Sequence, residues 1–335
     1  MNSSAPILIM SSERSGSNLL RTLLSNHSRI SGPMAAQFLN LFHPHKGAFE
    51  PLAEPENQVA LLSTMLAVAN HKIFAWKLDV DPAELARREQ PRSLLDAFDA
   101  LYRARQSADG AERYVCKENR LFDHAEALLQ RFPDSKIIFL ARDPRDYVLS
   151  WQNAPILNNT PFEASNSWRE EQLSCFAVER AHPDSVLRLT YEQLVQDPQG
   201  QMTRVLEFVG EPVEEACFQV QVKKNKDQEW SSFWRNLTKP IQASNFEKWR
   251  GAFSGRTLEM IETLCAEPMR ELGYQADSRQ AWRRGPWFEF REKRLSARND
   301  HRLRAEHAST VAVIEDRDRM LRGLLSERRT PVESS

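Results

Sequence analysis

The chain has 335 residues, 41% hydrophobic and 27% charged, a balance that excludes a disordered chain and a fibre. Lys and Arg number 45 and Asp and Glu 46, a formal net charge of −1. Bulk affinity for nucleic acid or anionic membrane is therefore not expected, and an anion site must come from a local cluster of basic residues. No stretch is apolar for long enough to span a bilayer, and the opening run Ile7-Leu8-Ile9-Met10 is too short for a signal segment. The four cysteines, Cys116, Cys175, Cys217 and Cys265, are scattered without a CxxC pair, which argues against structural zinc and a disulfide framework. A cytoplasmic protein with reduced thiols is the expectation.

In chain order, residues 7–10 read as a buried strand, and Leu19, Leu20, Leu23 and Leu24 follow at helical spacing. Residues 59–70 and 93–105 have amphipathic helical patterns. Residues 114–116 read as a short strand and 122–132 as a helix stopped by Pro133. Residues 136–141 are the clearest strand. Asp143 then supplies an N-cap and Pro144 a first helical position, which predicts a helix through Trp151. A strand over 186–190 precedes helices over 202–209, stopped by Gly210, and 258–272, stopped by Gly273. This alternation predicts a parallel sheet with helices on its faces. From about residue 276 the chain becomes dense in Arg, Glu and Asp. Residues 276–335 read as a charged, mostly helical extension to a domain of residues 1–275, with Trp282, Trp287, Phe288 and Phe290 as its only firm anchors. A solvated helix is the expectation there, and self-association through it is open.

Two segments carry chemistry. The first, Ser11-Ser12-Glu13-Arg14-Ser15-Gly16-Ser17-Asn18, joins the first strand to the first helix. Small residues opening a helix expose backbone N–H groups that form an anion cradle with the helix dipole. Gly16 permits close backbone approach, Ser17 and Asn18 add donors, and Arg14 adds a fork suited to phosphate or sulfate oxygens. The GxxxxGK[ST] spacing is absent, which argues against a P-loop kinase. In the second segment, Arg142 sits at the carboxyl end of the best strand and Ser150 within the helix that follows. Ligands of open α/β sheets collect outside those strand ends, so the two segments are expected to face one crevice.

Together these segments resemble the sulfotransferase family, in its bacterial-type and tyrosylprotein-sulfotransferase-like branch. Arg14-Ser15-Gly16-Ser17-Asn18 is similar to the family's loop for the 5′-phosphosulfate. Arg142 and Ser150 resemble its site for the 3′-phosphate of 3′-phosphoadenosine 5′-phosphosulfate (PAPS). Tyr191, in Thr190-Tyr191-Glu192-Gln193-Leu194, resembles its tyrosine beside the adenine. Thr238-Lys239-Pro240 and Phe246-Glu247-Lys248-Trp249-Arg250 resemble its late nucleotide-binding segment, and Leu272-Gly273-Tyr274 its usual close. The resemblance covers residues 5–275. It implies a three-layer, P-loop NTPase-like α/β fold, PAPS as donor, 3′,5′-ADP as product and no metal.

The implied reaction is in-line attack of an acceptor hydroxyl on the PAPS sulfur. Charge develops on the bridging oxygen, where a cation lowers the barrier. Lys117 matches a lysine that family members use there, and Arg14 is assigned the same role. The base is harder to find. Family positions for it fall on Asn119 and on residues 32–37, and none of these titrates. His43, His45, His71 and Glu118 remain nearby, and Glu118 is preferred because it adjoins Lys117. Trp76, Trp151, Trp168, Trp230 and Trp234 are available to shape an acceptor pocket, though tryptophans more often fill cores. A carbohydrate or small-metabolite hydroxyl is the expected acceptor, with protein tyrosine as a second reading. A PAPS-binding protein without turnover is the competing function.

Overall fold

The structure, a computed structural model, describes residues 5–154, 160–220 and 240–329. The strand β1 (Ile7–Ser11) is buried throughout and turns into α1 (Ser17–Leu24). A two-residue strand β2 (Ile30–Ser31) and a short helix α2 (Phe38–Phe42) follow. Helices α3 (Pro55–Asn70), α4 (Pro82–Glu89) and α5 (Leu94–Ala108) precede β3 (Arg113–Cys116). Then come α6 (Ala125–Arg131), β4 (Lys136–Ala141), α7 (Pro144–Gln152), α8 (Pro161–Ala181) and β5 (Val186–Thr190). Helices α9 (Tyr191–Gln196), α10 (Pro198–Val209), α11 (Gly255–Leu264) and α12 (Ala266–Glu271) lead to the C-terminal pair α13 (Phe288–Glu306) and α14 (Ala308–Arg329).

The strands pair in parallel in the order β2-β3-β1-β4-β5. Ile9 lies opposite Ile138, and Leu8 opposite Cys116. Successive side chains of a strand point to opposite faces, so each strand feeds two cores. Ile7 and Ile9 pack with Leu20 and Leu23 of α1 and Val205 of α10. Leu8 and Met10 pack toward Phe38, Leu62, Phe98 and Phe176 of α2, α3, α5 and α8. The result is the expected three layers, with helices on both faces of a parallel sheet. Each fully buried aliphatic or aromatic side chain contributes about 1.5–3 kcal/mol. The loops after β1, β3 and β4 therefore leave the middle of the sheet from a rigid base.

Two expectations change. The helix predicted over 258–272 breaks at Cys265 into α11 and α12. Pro268 lies in the first turn of α12 and lacks the N–H that a continuous helix would need there. The C-terminal extension is also less solvated than expected. Leu321 and Leu325 of α14 are buried in the main core. His71 and Lys72, at the end of α3, reach Asp316 of α14. Trp282 and Phe288 close on Phe162 of α8, whereas Trp287 and Phe290 stay exposed at 73% and 58%. All four cysteines are buried and unpaired. Among the described residues, no helix is long and apolar enough to cross a membrane.

Candidate active site

The β1–α1 loop carries two residues in the left-handed region, Arg14 at φ 65° and Gly16 at φ 89°. Alternation of this kind turns successive backbone N–H groups inward, as in anion-binding nests. Gly16 is the N-cap of α1 and offers no side-chain cap, and no acidic residue lies in the helix's first turn. The orphan N–H groups and the dipole of α1 thus face the loop uncompensated. Gly16 packs directly under Tyr191, and a Cβ there would lie 2.7 Å from Cε2 and closer still to Cδ2.

Arg142 and Tyr191 lock this loop in place. Arg142 Nη1 donates to the Arg14 carbonyl at 2.9 Å, and its guanidinium lies 4.5 Å from the Tyr191 ring centroid. Asn245 Nδ2 donates to the Tyr191 hydroxyl. Arg14 Nε donates to Ser150 Oγ at 3.2 Å, which joins the loop to α7. Burial and then Arg142 hold the Arg14 guanidinium below its ordinary value, so cationic charge is concentrated here. Ser15 Oγ, Arg142 Nε and Asn18 Oδ1 are buried with no hydrogen-bond partner. A buried donor left unsatisfied costs about 1–3 kcal/mol. Ser15 Oγ, Arg142 Nε and the open α1 terminus are the donors that a phosphate- or sulfate-bearing ligand would satisfy, so the residues present fit one.

The first turn of α7 is braced from behind. Asp143 caps the helix by accepting from Arg145 N at 2.8 Å, and Arg145 also bonds Glu262 and stacks 4.0 Å from the Trp249 ring. Trp249 N donates to Asp146 Oδ1 at 3.0 Å. Glu192 accepts from Asp143 N and from the Tyr274 hydroxyl. The late segments singled out in the sequence, around Trp249 and Tyr274, therefore hold the Arg142–Ser150 helix from outside. Arg145 and Glu262 were not singled out, because only the tertiary fold brings them together.

Lys117 follows β3 and is buried. Its Nζ donates to Asn119 Oδ1, and Asn119 Nδ2 donates to Glu13 Oε1 at 2.6 Å. Burial holds the Lys117 ammonium below its ordinary value, with the carboxylates of Glu13 and Glu118 opposing that shift. Glu118, adjacent in sequence, faces elsewhere. Its carboxylate accepts from the Tyr102 hydroxyl at 3.2 Å and from Leu39 N at 3.4 Å, and the residue is 1% exposed. Burial pushes the Glu118 carboxyl up to about 7.

The structure thus brings together Arg14, Ser15, Gly16, Ser17, Asn18, Arg142, Ser150 and Tyr191, with Lys117 joined through Asn119 and Glu13. Lys239, Trp230 and Trp234 lie outside the described residues. Trp76, Trp151 and Trp168 are buried in the cores, and Trp168 Nε1 donates to the Arg142 carbonyl. His71 is tied to α14, and His43 meets His124 edge-on. Among the described residues, no cluster of three or more His, Cys, Asp or Glu side chains is placed to hold a metal ion. Glu171 of α8, which carries no sequence signal beyond a charged helical run, stands beside Ser12 and Glu13 of the loop.

The sulfotransferase family model matches residues 6–215. Protein-tyrosine sulfotransferase A of Caenorhabditis elegans is 26% identical over 180 residues, 51% of this chain and 47% of that protein. The chain therefore spans about half the length of this curated relative. The sulfotransferase domain of the Synechococcus PCC 7002 olefin synthase superposes with a TM-score of 0.55 at 21% identity, over 81% of this chain and 96% of that one. The sulfotransferase domain from the curacin biosynthetic pathway gives 0.53 at 19% identity, over 81% and 98%. These two likenesses concern the fold. The family match spans more than half of the chain and includes the β1–α1 loop, Lys117, Arg142, Ser150 and Tyr191: this chain belongs to the sulfotransferase family.

Proposed function

We propose that this chain transfers a sulfuryl group from PAPS to an acceptor hydroxyl, within a domain of residues 1–275 that carries residues 276–335 as an extension. The observation that carries the reading is the junction of Arg14, Arg142, Ser150 and Tyr191 over a loop with orphaned buried donors. Ser15, Gly16, Ser17, Asn18 and the α1 terminus take the 5′-phosphosulfate end. Arg142 and Ser150 take the 3′-phosphate, Tyr191 the adenine, and Lys239 completes the nucleotide site. PAPS, once bound, supplies an activated sulfuryl group and a phosphate leaving group. Arg14 and Lys117 stabilise the charge that grows toward that leaving group; preorganised cations in a dry site contribute most when charge develops. The Glu13–Asn119 chain holds Lys117 in place for this, at no cost in reorganisation.

A neutral carbohydrate or small-metabolite hydroxyl is the acceptor class the surroundings favour. The carboxylates of Glu13 and Asp123 both act on Glu171 beside the loop, and this negative charge repels an anionic acceptor. Protein tyrosine is the second reading, supported by the curated relative's substrate.

The test is calorimetry with 3′,5′-ADP and PAPS on the wild type and on Arg142→Ala. Micromolar-range binding, weakened tenfold or more by the substitution, is expected; tenfold is about 1.4 kcal/mol. Absence of binding to the wild type would overturn the reading. Binding of both nucleotides without transfer to any of a panel of sugars, phenols and tyrosyl peptides would leave a binding protein in its place.

A further inference from the structure

An acceptor hydroxyl cannot become a sulfate ester without losing its proton, so the site proposed above needs a group to receive it. The inference that follows rests on that proposal. Several titratable groups lie around the loop. Asp146 is held beside Arg142, with its Oδ1 accepting from Trp249 N, and Tyr191 is held by Arg142 and Asn245. Arg14, Lys117 and Arg142 are cations and accept nothing. The Glu118 carboxylate is held by Tyr102 and Leu39. Glu13 is engaged by Asn119, which in turn holds Lys117. Asp123 is exposed and paired with Arg120 at 2.7 Å. The Tyr147 hydroxyl is buried and held far above its ordinary value, which keeps it protonated.

Glu171 remains. It stands on α8 next to Gln172, which is fully buried and whose Nε2 donates to Ser12 Oγ at 2.7 Å. That bond pins this turn of α8 against the loop that opens α1. Glu171 itself interacts with Ser12 and Glu13 of the loop, with Arg120 and Asp123 of the turn after Lys117, and with Tyr147 of α7. It therefore lies where the elements carrying Arg14, Lys117 and Ser150 meet. Its Oε2 is buried and has no hydrogen-bond partner. A buried carboxylate oxygen without a donor is costly unless a ligand supplies one.

We propose that Glu171 is a catalytic residue of this chain, the proton acceptor for the incoming hydroxyl, with Oε2 as the receiving atom. In the step, the acceptor O–H bond breaks and its proton passes to Glu171 Oε2. The acceptor oxygen forms the new O–S bond as the S–O bond to the 5′-phosphate breaks, and that bond's electron pair leaves on the phosphate. Glu171 then returns its proton to solvent. No further reactant is needed.

The electrostatics suit this role. Burial pushes the Glu171 carboxyl up to about 7, and the negative charges of Glu13 and Asp123 add to the shift, while Ser12 and Arg120 oppose it. Cys175, one turn further along α8, faces the same carboxylate as a neutral thiol. A base whose pKa lies near the working pH combines ionisation with affinity for the proton.

The experiment compares full-length wild type, Glu171→Gln and Glu171→Asp. Calorimetry with 3′,5′-ADP comes first and is expected to agree within about threefold across the three. Single-turnover transfer from sulfur-labelled PAPS is then followed with phenol, with water, and with para-nitrophenol, which has largely lost its proton at mildly alkaline pH. Loss of a positioned base costs about 10²–10⁴-fold. Glu171→Gln is expected to lose at least 100-fold with phenol and water, and less than tenfold with para-nitrophenol at that pH. Glu171→Asp should fall between. The wild-type rate should rise with pH to a plateau above about 7, and the Gln variant should lose that limb. Carboxyl carbon NMR of the 3′,5′-ADP complex, assigned by the Gln variant, should place Glu171 titration near the same value.

Equal loss with phenol and para-nitrophenol, an unchanged pH profile, or titration in the ordinary glutamate range would overturn the assignment. So would a wild type that binds nucleotide but never cleaves PAPS. A wild type that binds neither nucleotide would instead overturn the donor reading.

Discussion

Gly16→Ala tests how the loop is held. The substitution places a Cβ at a residue whose φ is 89° and whose nearest neighbour is the Tyr191 ring. An L-residue in the left-handed region costs about 1–2 kcal/mol. The clash adds to this, because Cβ would stand 2.7 Å from Tyr191 Cε2 and closer to Cδ2. Tyr191 has nowhere to retreat: Arg142 covers its ring at 4.5 Å and Asn245 holds its hydroxyl. Overpacking of this kind costs about 1–3 kcal/mol. Alanine restricts the unfolded chain and offsets about 0.4–1 kcal/mol. A net destabilisation of about 2–4 kcal/mol follows, measured by urea unfolding with tryptophan fluorescence. The double variant with Tyr191→Ala separates the two causes. Removing the ring should recover the steric part, about 1–3 kcal/mol, and leave the backbone part. A Gly16→Ala cost below about 0.5 kcal/mol, or strict additivity in the cycle, would refute the reasoning.

Glu118→Gln should flatten the stability–pH curve. The folded carboxyl titrates at about 7, above its unfolded value, so the folded state holds the proton more tightly. The contribution of Glu118 to stability is then fully present at low pH and is lost as pH rises from the ordinary glutamate range through about 7, about 3 kcal/mol at most. Because Glu171 contributes the same sign, the readout is the variant's slope against the wild type's, and equal slopes refute the claim. Lys117→Ala should lower the transfer rate by about 10²–10³-fold with 3′,5′-ADP affinity changed less than about threefold. An equal loss in affinity would reassign Lys117 to nucleotide binding. Leu325→Ala and Leu321→Ala should each cost about 2 kcal/mol or more in thermal or urea unfolding, since both side chains lie in the main core. A truncation at residue 306 that unfolds at the wild-type midpoint would show α14 to be dispensable.

Local signals were enough for much of the scaffold. The strands over 136–141 and 186–190 were readable to the residue, because short β-branched and apolar runs bounded by turn residues have few alternatives. Asp143 and Pro144 start α7 where their capping chemistry places them. The loop from Ser12 to Gly16 announced itself through small residues between a strand and a helix, and Arg142 through its place at a strand's end. These are properties of a few neighbouring residues, and their physics is local.

What depended on the fold involves residues far apart in the chain. The sequence neighbours Lys117 and Glu118 take different partners, Asn119 for one and Tyr102 for the other, and adjacency in the chain says nothing of this. Leu321 and Leu325 sit in a charged, weakly amphipathic helix, and only packing against α3 shows them to be core. Glu171 belongs to a run of charged residues that reads as a solvated face. It becomes a group of interest because α8 crosses the end of β1, where Gln172 grips Ser12 and Glu171 Oε2 is buried without a partner. Burial and the charges that surround a side chain are set by nonlocal contacts. A carboxylate's chemistry is therefore decided by the tertiary structure, even when its position in a helix is not.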